Sequence, residues 1–381
     1  MEQQRFQVLD SWRGICALLV MAYHLPLASH FYYWQPIRSG HFGVEFFFVL
    51  SGFVIAHSNG QKLASGGYFS SFLIRRFGRI YPLHLVTLLA LVVVEFAKLA
   101  VVLGLGVKGG ETPFGDSSSL PALGANLLLW NGLGGFHDFT WNGPSWSISA
   151  EFYTYILFAF VVWAAGRRYV FAAAALVVAA FALLTWNSAQ PVPRGTVEGE
   201  GLLVCIAGFF LGTVTYQLFR WKGPASAWFE PVALGAVALV FWDFLPRSMT
   251  LIVFAAFVYV FAGERGPLAK AFLVRPAQWA GMVSYSIYLV HYPVITTLNA
   301  LCRLIQAKLD VTIFGVRAGD KLLVSIGGPW VMDALTPLYF VVVLSLSALT
   351  YRWIEKPCDL WFKNLARGLT GGARSEGTAQ A

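Results

Sequence analysis

Apolar residues in this chain gather into long runs separated by short polar or glycine-rich segments. A helix needs about 17 to 25 such residues to cross a hydrocarbon core about 30 Å thick. Runs of that kind predict helices near 9–28, 41–57, 81–104, 146–165, 169–186, 201–219, 229–244, 248–262, 279–300 and 335–355. The seventh and eighth are short and the break from Asp243 to Arg247 is weak, so nine helices is the alternative reading. Ten would return the C-terminus to the side of the N-terminus. The expected fold is all-α, a bundle of about ten transmembrane helices.

Between the helices, two connections exceed ordinary length: Leu105 to Ser145, rich in Gly, Ser and Pro, and Leu301 to Leu335. Loops this long are usually functional or disordered. The membrane domain is expected to occupy 1–360, and residues 361–381, Gly/Ser/Ala/Thr-rich from Gly368, to form an unstructured cytoplasmic tail. Asp10 and Arg13 interrupt the first apolar run and no small-residue cleavage pattern follows, so a cleavable signal peptide is not expected. No internal repeat is visible.

Composition supports this reading. Of 381 residues 57% are hydrophobic and 12% charged, whereas soluble domains carry about 25% charged residues. The net charge of +8 raises the question of nucleic acid, but the basic residues lie between apolar runs rather than in one patch. Counted by alternating sides, seventeen Lys and Arg fall on the side of the N-terminus and eight on the other; Arg13 and Lys98, inside helices, complete the 27. The positive-inside rule then puts both termini in the cytoplasm, in a multi-pass inner-membrane protein. Cys16, Cys205, Cys302 and Cys358 are scattered, so neither a disulfide framework nor a metal site is expected.

The chemistry-bearing residues cluster at helix ends. Arg13 and His24 are eleven residues apart, about three turns, and so share a helix face; Asp10 lies one turn before Arg13. Ionisable groups inside a membrane normally face a bundle interior or cavity and are functional or lock helices together. Glu45 and the Ser51-Gly52 step open the second helix, where substrate contact and close packing are both possible readings. Arg75-Arg76-Phe-Gly-Arg79-Ile-Tyr-Pro82 puts Arg76 and Arg79 on one face at the expected start of the third helix, a place suited to phosphate or lipid head groups. Glu151, in Trp146-Ser-Ile-Ser-Ala-Glu151, and His291, in Ser284-Tyr-Ser-Ile-Tyr-Leu-Val-His291, complete the intramembrane polar set. Lys98 and Trp242-Asp243 read as snorkelling or interface residues.

These motifs, with Phe47-Phe-Val-Leu-Ser-Gly-Phe53 and the closing Glu355-Lys-Pro357, together resemble the integral-membrane acyltransferase family three, which includes bacterial O-antigen and exopolysaccharide O-acetylases. The resemblance runs from about Phe6 to Pro357 with the motifs in family order. It implies a ten-helix bundle that moves an acyl group, usually acetyl, from cytosolic acetyl-CoA to a hydroxyl, often of a sugar, on the far side. Position by position, Arg13 and His24 match the family's essential arginine and histidine, Arg76 and Arg79 its cytosolic arginine pair, and Glu151 and His291 recurrent polar positions.

The expectations are therefore His24, Arg13 and Glu151 for catalysis, Arg76, Arg79 and Arg75 for acyl-CoA, and His291, Glu45, Ser51 and Asp10 for the acceptor. Acetyl-CoA is a co-substrate; no permanently bound cofactor or nucleic acid is expected, and the expected partners are a carbohydrate acceptor and membrane lipids. A small lipophilic acceptor, such as a macrolide or glycolipid, is a rival within the class; a transporter with an intramembrane polar pathway is a rival outside it.

Overall fold

The computed structural model describes residues 5–65, 68–106, 112–135, 139–188, 200–318 and 321–376. Ten helices, among the described residues, follow the ten apolar runs: α1 (Gln7–Tyr23), α2 (Gly43–Ala64), α3 (Phe69–Leu105), α4 (Trp146–Ala165), α5 (Tyr169–Ser188), α6 (Glu200–Lys222), α7 (Glu230–Phe241), α8 (Arg247–Phe261), α9 (Ser284–Leu309) and α10 (Pro329–Thr350). Among the described residues, five helical stretches can cross a membrane by length and composition: Gly40–Ala64, Phe69–Gly104, Gly143–Asn187, Glu200–Lys222 and Pro329–Gly368. The helices α7 and α8 are apolar but shorter.

Several expected boundaries move. The first helix ends at Tyr23 rather than 28, because Pro26 disfavours helical backbone at Leu25 and brings no N–H of its own. The third begins at Phe69, twelve residues before the expected start, and carries Pro82 inside it. Arg76 is thus two turns into the helix, and the N-terminal dipole expected to help it hold an anion is out of reach. The boundary at residue 360 falls within an eleventh helix, α11 (Lys356–Glu376), whose backbone stays helical past Gly368; 377–381 lie outside the described residues.

The fold is all-α as expected, with one small addition. In the long 301–335 connection, β1 (Phe314–Ala318) and β2 (Lys321–Val324) form an antiparallel hairpin. The chain leaving α1 runs beside it: Val324 N–H donates to the Pro26 carbonyl (2.8 Å) and Ala28 N–H to the Val324 carbonyl (2.9 Å). Those bonds satisfy backbone groups that the early end of α1 releases from the helix.

Close helix contact depends on small residues, as it does where lipid offers no hydrophobic drive to association. A Cβ on Gly52 would strike the Phe209 carbonyl of α6, and one on Gly212 the Val49 carbonyl of α2. The start of α1 has no capping side chain of its own; Glu264 from the loop after α8 accepts the Val8 N–H at 2.8 Å instead. Contacts between Arg13 and Ser284 at one end and His24 and His291 at the other show that α1 and α9 run parallel. The helix α3 shares that direction, with Arg79 beside Tyr285.

Candidate active site

A cavity of about 180 Å³ lies between α1, α2, α3, α4 and α9, near the end where α1, α3 and α9 begin. Arg13, Ser51, Arg76, Arg79 and Glu151 line it, together with Tyr155, Tyr285 and Tyr288.

Arg13 reaches it because α1 crosses the short helix Arg275–Met282 with almost no side-chain spacing. A Cβ on Gly14 would strike Gly281, and one on Gly281 would strike the Asp10 carbonyl. The guanidinium then donates to the Gly281 carbonyl (2.7 Å) and to Ser284 Oγ (2.9 Å), with Asp10 Oδ1 3.3 Å away. Asp10 also takes a bond from Arg5 at 2.7 Å. It anchors Arg13 from behind and does not line the cavity.

Arg79 is held differently. Its guanidinium pairs with the fully buried Glu355 side chain, whose second oxygen accepts from Ser286 Oγ at 2.7 Å. Glu355 ends a π-helical turn, Tyr351–Glu355, between α10 and α11; such turns re-aim a side chain within a helix and recur at functional sites. Glu151 accepts from the Tyr155 hydroxyl at 2.6 Å, and Ser51 Oγ lies 3.1 Å from that hydroxyl. Arg76 stands apart from these three. Among the described residues no carboxylate lies within 4.0 Å of it, and its buried Nε has no hydrogen-bond partner. Its guanidinium carbon is 5.8 Å from the Phe72 ring centre.

The histidines lie farther along the bundle, beyond this cavity. His24, first residue past α1, has Nδ1 2.9 Å from the Val20 carbonyl, and its ring centre is 5.0 Å from that of His291. His291 is fully buried with Nδ1 3.0 Å from the Ile287 carbonyl. A carbonyl only accepts, so in both neutral rings the proton sits on Nδ1 and Nε2 carries the lone pair. His291 Nε2 is buried without a partner. Tyr288 joins the two places: it lines the cavity, bonds Ser147 Oγ (2.7 Å) and the Pro144 carbonyl (2.9 Å), and sits 6.1 Å from the His291 ring.

The cavity thus brings together Arg13, Arg76, Arg79, Glu151 and Ser51, and leaves His24 and His291 as a neighbouring pair. The shared face of Arg13 and His24 exists, and it packs along one segment, 281–291. Arg75 turns to the Tyr68 ring, 5.5 Å away, and is not in the lining. Glu45 Oε1 lies 3.7 Å from Arg247 Nε of α8, also outside the cavity. Lys98, expected to snorkel, instead pairs with buried Glu95 at 2.5 Å. Sequence reasoning assigned no role to Tyr155, Tyr285, Tyr288 or Glu355; only the three-residue step from Tyr285 to Tyr288, one helix face, hinted at a lining pair.

Known proteins resemble this chain along most of its length. A family model described as an acyltransferase domain matches residues 6–352. The chain is 30% identical over 326 residues to acyltransferase MdmB of Streptomyces mycarofaciens, covering 76% of this chain and 79% of that protein. It is 25% identical over 357 residues to the peptidoglycan O-acetyltransferase OatA of Listeria monocytogenes, covering 81% of this chain and 52% of that longer protein. A shorter stretch of 114 residues is 39% identical to protein 2 in the picA locus of Rhizobium radiobacter, covering 30% of this chain and 54% of that protein. No solved structure matches the chain. With the family's domain spanning nearly its whole length, the chain belongs to the acyltransferase-3 family and is a membrane enzyme that transfers acyl groups.

Proposed function

We propose that the chain is an inner-membrane O-acyltransferase that takes an acyl group, acetyl in the first instance, from cytosolic acyl-CoA and esterifies a hydroxyl of a cell-envelope or exported carbohydrate. In this reading ten helices span the bilayer, both termini are cytoplasmic, and the arginine-lined cavity opens towards the cytosol.

The observation that carries the proposal is the guanidinium of Arg76, which among the described residues has no carboxylate within 4.0 Å, beside Arg13 and Arg79 in one cavity. Three guanidinium groups around one cavity outnumber its single lining carboxylate, Glu151, and an anionic ligand offsets that excess of positive charge. Guanidinium groups bind phosphates through paired, charge-assisted hydrogen bonds, and CoA supplies phosphates together with an arm long enough to carry a thioester inward past Tyr288. At His24 the Nε2 lone pair takes the proton of the acceptor hydroxyl. The hydroxyl oxygen bonds to the acyl carbonyl carbon, the carbon–sulfur bond breaks, and the proton leaves with the CoA thiolate. Glu151, buried among hydroxyls next to the cationic cavity, positions the arginine side of the site.

Labelled acetyl transfer tests this. Membranes containing the full chain should move radiolabel from acetyl-CoA to envelope glycan, and membranes with matched amounts of His24→Ala should not. No transfer by the wild-type chain from acetyl-CoA or longer acyl-CoAs would overturn the donor; undiminished transfer by His24→Ala would overturn the base.

A further inference from the structure

A second cavity, of about 250 Å³, lies farther along α3 and α9. Glu95 and Lys98 line it from α3, Tyr292 from α9, and Ser117, Phe139 and Trp141 from the segment linking α3 to α4. A single stripe of α9 serves both chambers: Tyr285 and Tyr288 face the first and Tyr292 the second, at spacings of three and four residues that keep one helix face. The His24 ring lies 6.2 Å from Tyr292 and 5.0 Å from His291, so the histidine pair stands between the chambers.

The second chamber differs chemically from the first. Its carboxylate, Glu95, is 3% exposed; one oxygen pairs with Lys98 at 2.5 Å and the other accepts the Phe114 N–H at 3.0 Å. A carboxylate has about four lone-pair sites and an ammonium three protons, so both groups retain hydrogen-bonding capacity towards the cavity. Trp141 adds a large flat face and is itself fixed, its indole N–H donating to the Ser119 carbonyl at 3.1 Å. A concave site with aromatic walls and a few fixed polar groups is how small polar molecules are oriented. The backbone is specialised too. Phe114 and Trp141 have φ of +55° and +52°, a left-handed conformation that bulky residues adopt only when their surroundings impose it, and which concentrates at ligand sites. One of these residues delivers its N–H to Glu95 and the other its ring to the wall.

We propose that this second chamber is the acceptor site, taking one hydroxyl-bearing sugar ring that bonds Glu95 and Lys98, lies against Trp141 and presents a hydroxyl to His24 beside Tyr292. The volume admits a single ring rather than a length of chain. The inference rests on the acyl-transfer reading for what happens to that hydroxyl, but not for the binding itself.

The test separates the two. A thiol introduced by Ser117→Cys, in a Cys358→Ser background, is labelled with a maleimide in the purified full chain, with methyl glycosides of glucose, galactose, mannose and N-acetylglucosamine as probes. The expected result is that at least one glycoside slows labelling several-fold, CoA at the same concentration does not, and Glu95→Gln or Trp141→Ala, each less stable than wild type but still folded at the labelling temperature, abolishes the protection. Labelling that no glycoside slows, protection by hydrophobic alcohols alone, or protection that survives both substitutions would overturn the proposal. Acetyl transfer is measured on the same chain before labelling. Protection without transfer would keep the sugar site and remove the acyl chemistry; transfer without protection would do the reverse.

Discussion

The arginine-lined cavity and the histidine pair beyond it hold their polar groups in different ways. In the first, the two arginines are fixed by partners on other helices, Arg13 by Ser284 and Gly281 and Arg79 by Glu355, while Glu151 is held by Tyr155 on its own helix with Ser51 of α2 beside it. Beyond it, His24 and His291 each bond the carbonyl four residues back on their own helix. Cross-linked charges preorganise a binding surface and are expensive to disturb. A bond from Nδ1 to a carbonyl sets which tautomer the neutral ring adopts. In the proposed mechanism the first region holds an ion and the second moves a proton.

The strongest way to break the contrast is at the histidines. His24→Ala should lower acetyl transfer by about 10² to 10⁴-fold, the range expected for a lost general base, with the melting temperature in detergent within a degree or two of wild type; a large drop in melting temperature would make His24 a packing residue. Next comes Glu355→Gln, which leaves Arg79 without its carboxylate. Breaking one side of a buried pair costs about 3–5 kcal/mol, so this variant should melt well below wild type, and the double change Arg79→Met with Glu355→Leu should recover much of the loss. An unchanged melting point for Glu355→Gln would show that the pair is dispensable.

Arg76→Ala should do the opposite of Glu355→Gln. A hydrogen bond to a charged group contributes about 1.5–3 kcal/mol, so the KM for acetyl-CoA should rise about tenfold or more while stability holds or improves; a shift in the acceptor's KM instead would move Arg76 out of the donor site. The smallest effect is expected at Glu45→Gln. Its partner Arg247 is 68% exposed, and pairs of that kind contribute less than about 1 kcal/mol, so chemical denaturation and transfer rates should barely change.

Much of this was legible in the residues. Ten apolar runs correspond to ten helices because a long apolar run is a strong signal, though five helical stretches among the described residues have the length and composition to cross a membrane, and Arg13, Arg76, Arg79, Glu151 and Ser51 share one cavity because polar groups on apolar helices seek a common interior. What escaped depended on tertiary contact. The early end of α1 follows from Pro26, which is visible, but the hairpin that takes up the freed backbone comes from 314–324, strands of four and five residues within an expected loop. The Arg76–Arg79 pair reads as one anion-binding unit by spacing; only Glu355, 276 positions from Arg79, divides it into a paired and an unpaired guanidinium. Lys98 looked like a snorkelling residue because Glu95, three positions earlier, gives no sign in the sequence that it is buried.

The length of α3 has a mechanical consequence. Its 37 residues span roughly 55 Å, well beyond a hydrocarbon core of about 30 Å, so the helix must tilt or emerge into water. Arg76 and Glu95 ride on the same rod, nineteen residues or roughly 28 Å apart, close to the thickness of that core. The rod therefore works as a gauge that holds one chamber near each leaflet, and any tilt adopted to match a thicker or thinner bilayer moves both mouths at once. In the proposed reading, lipid chain length becomes an input to how easily each substrate reaches its chamber, without any lipid touching the reacting atoms.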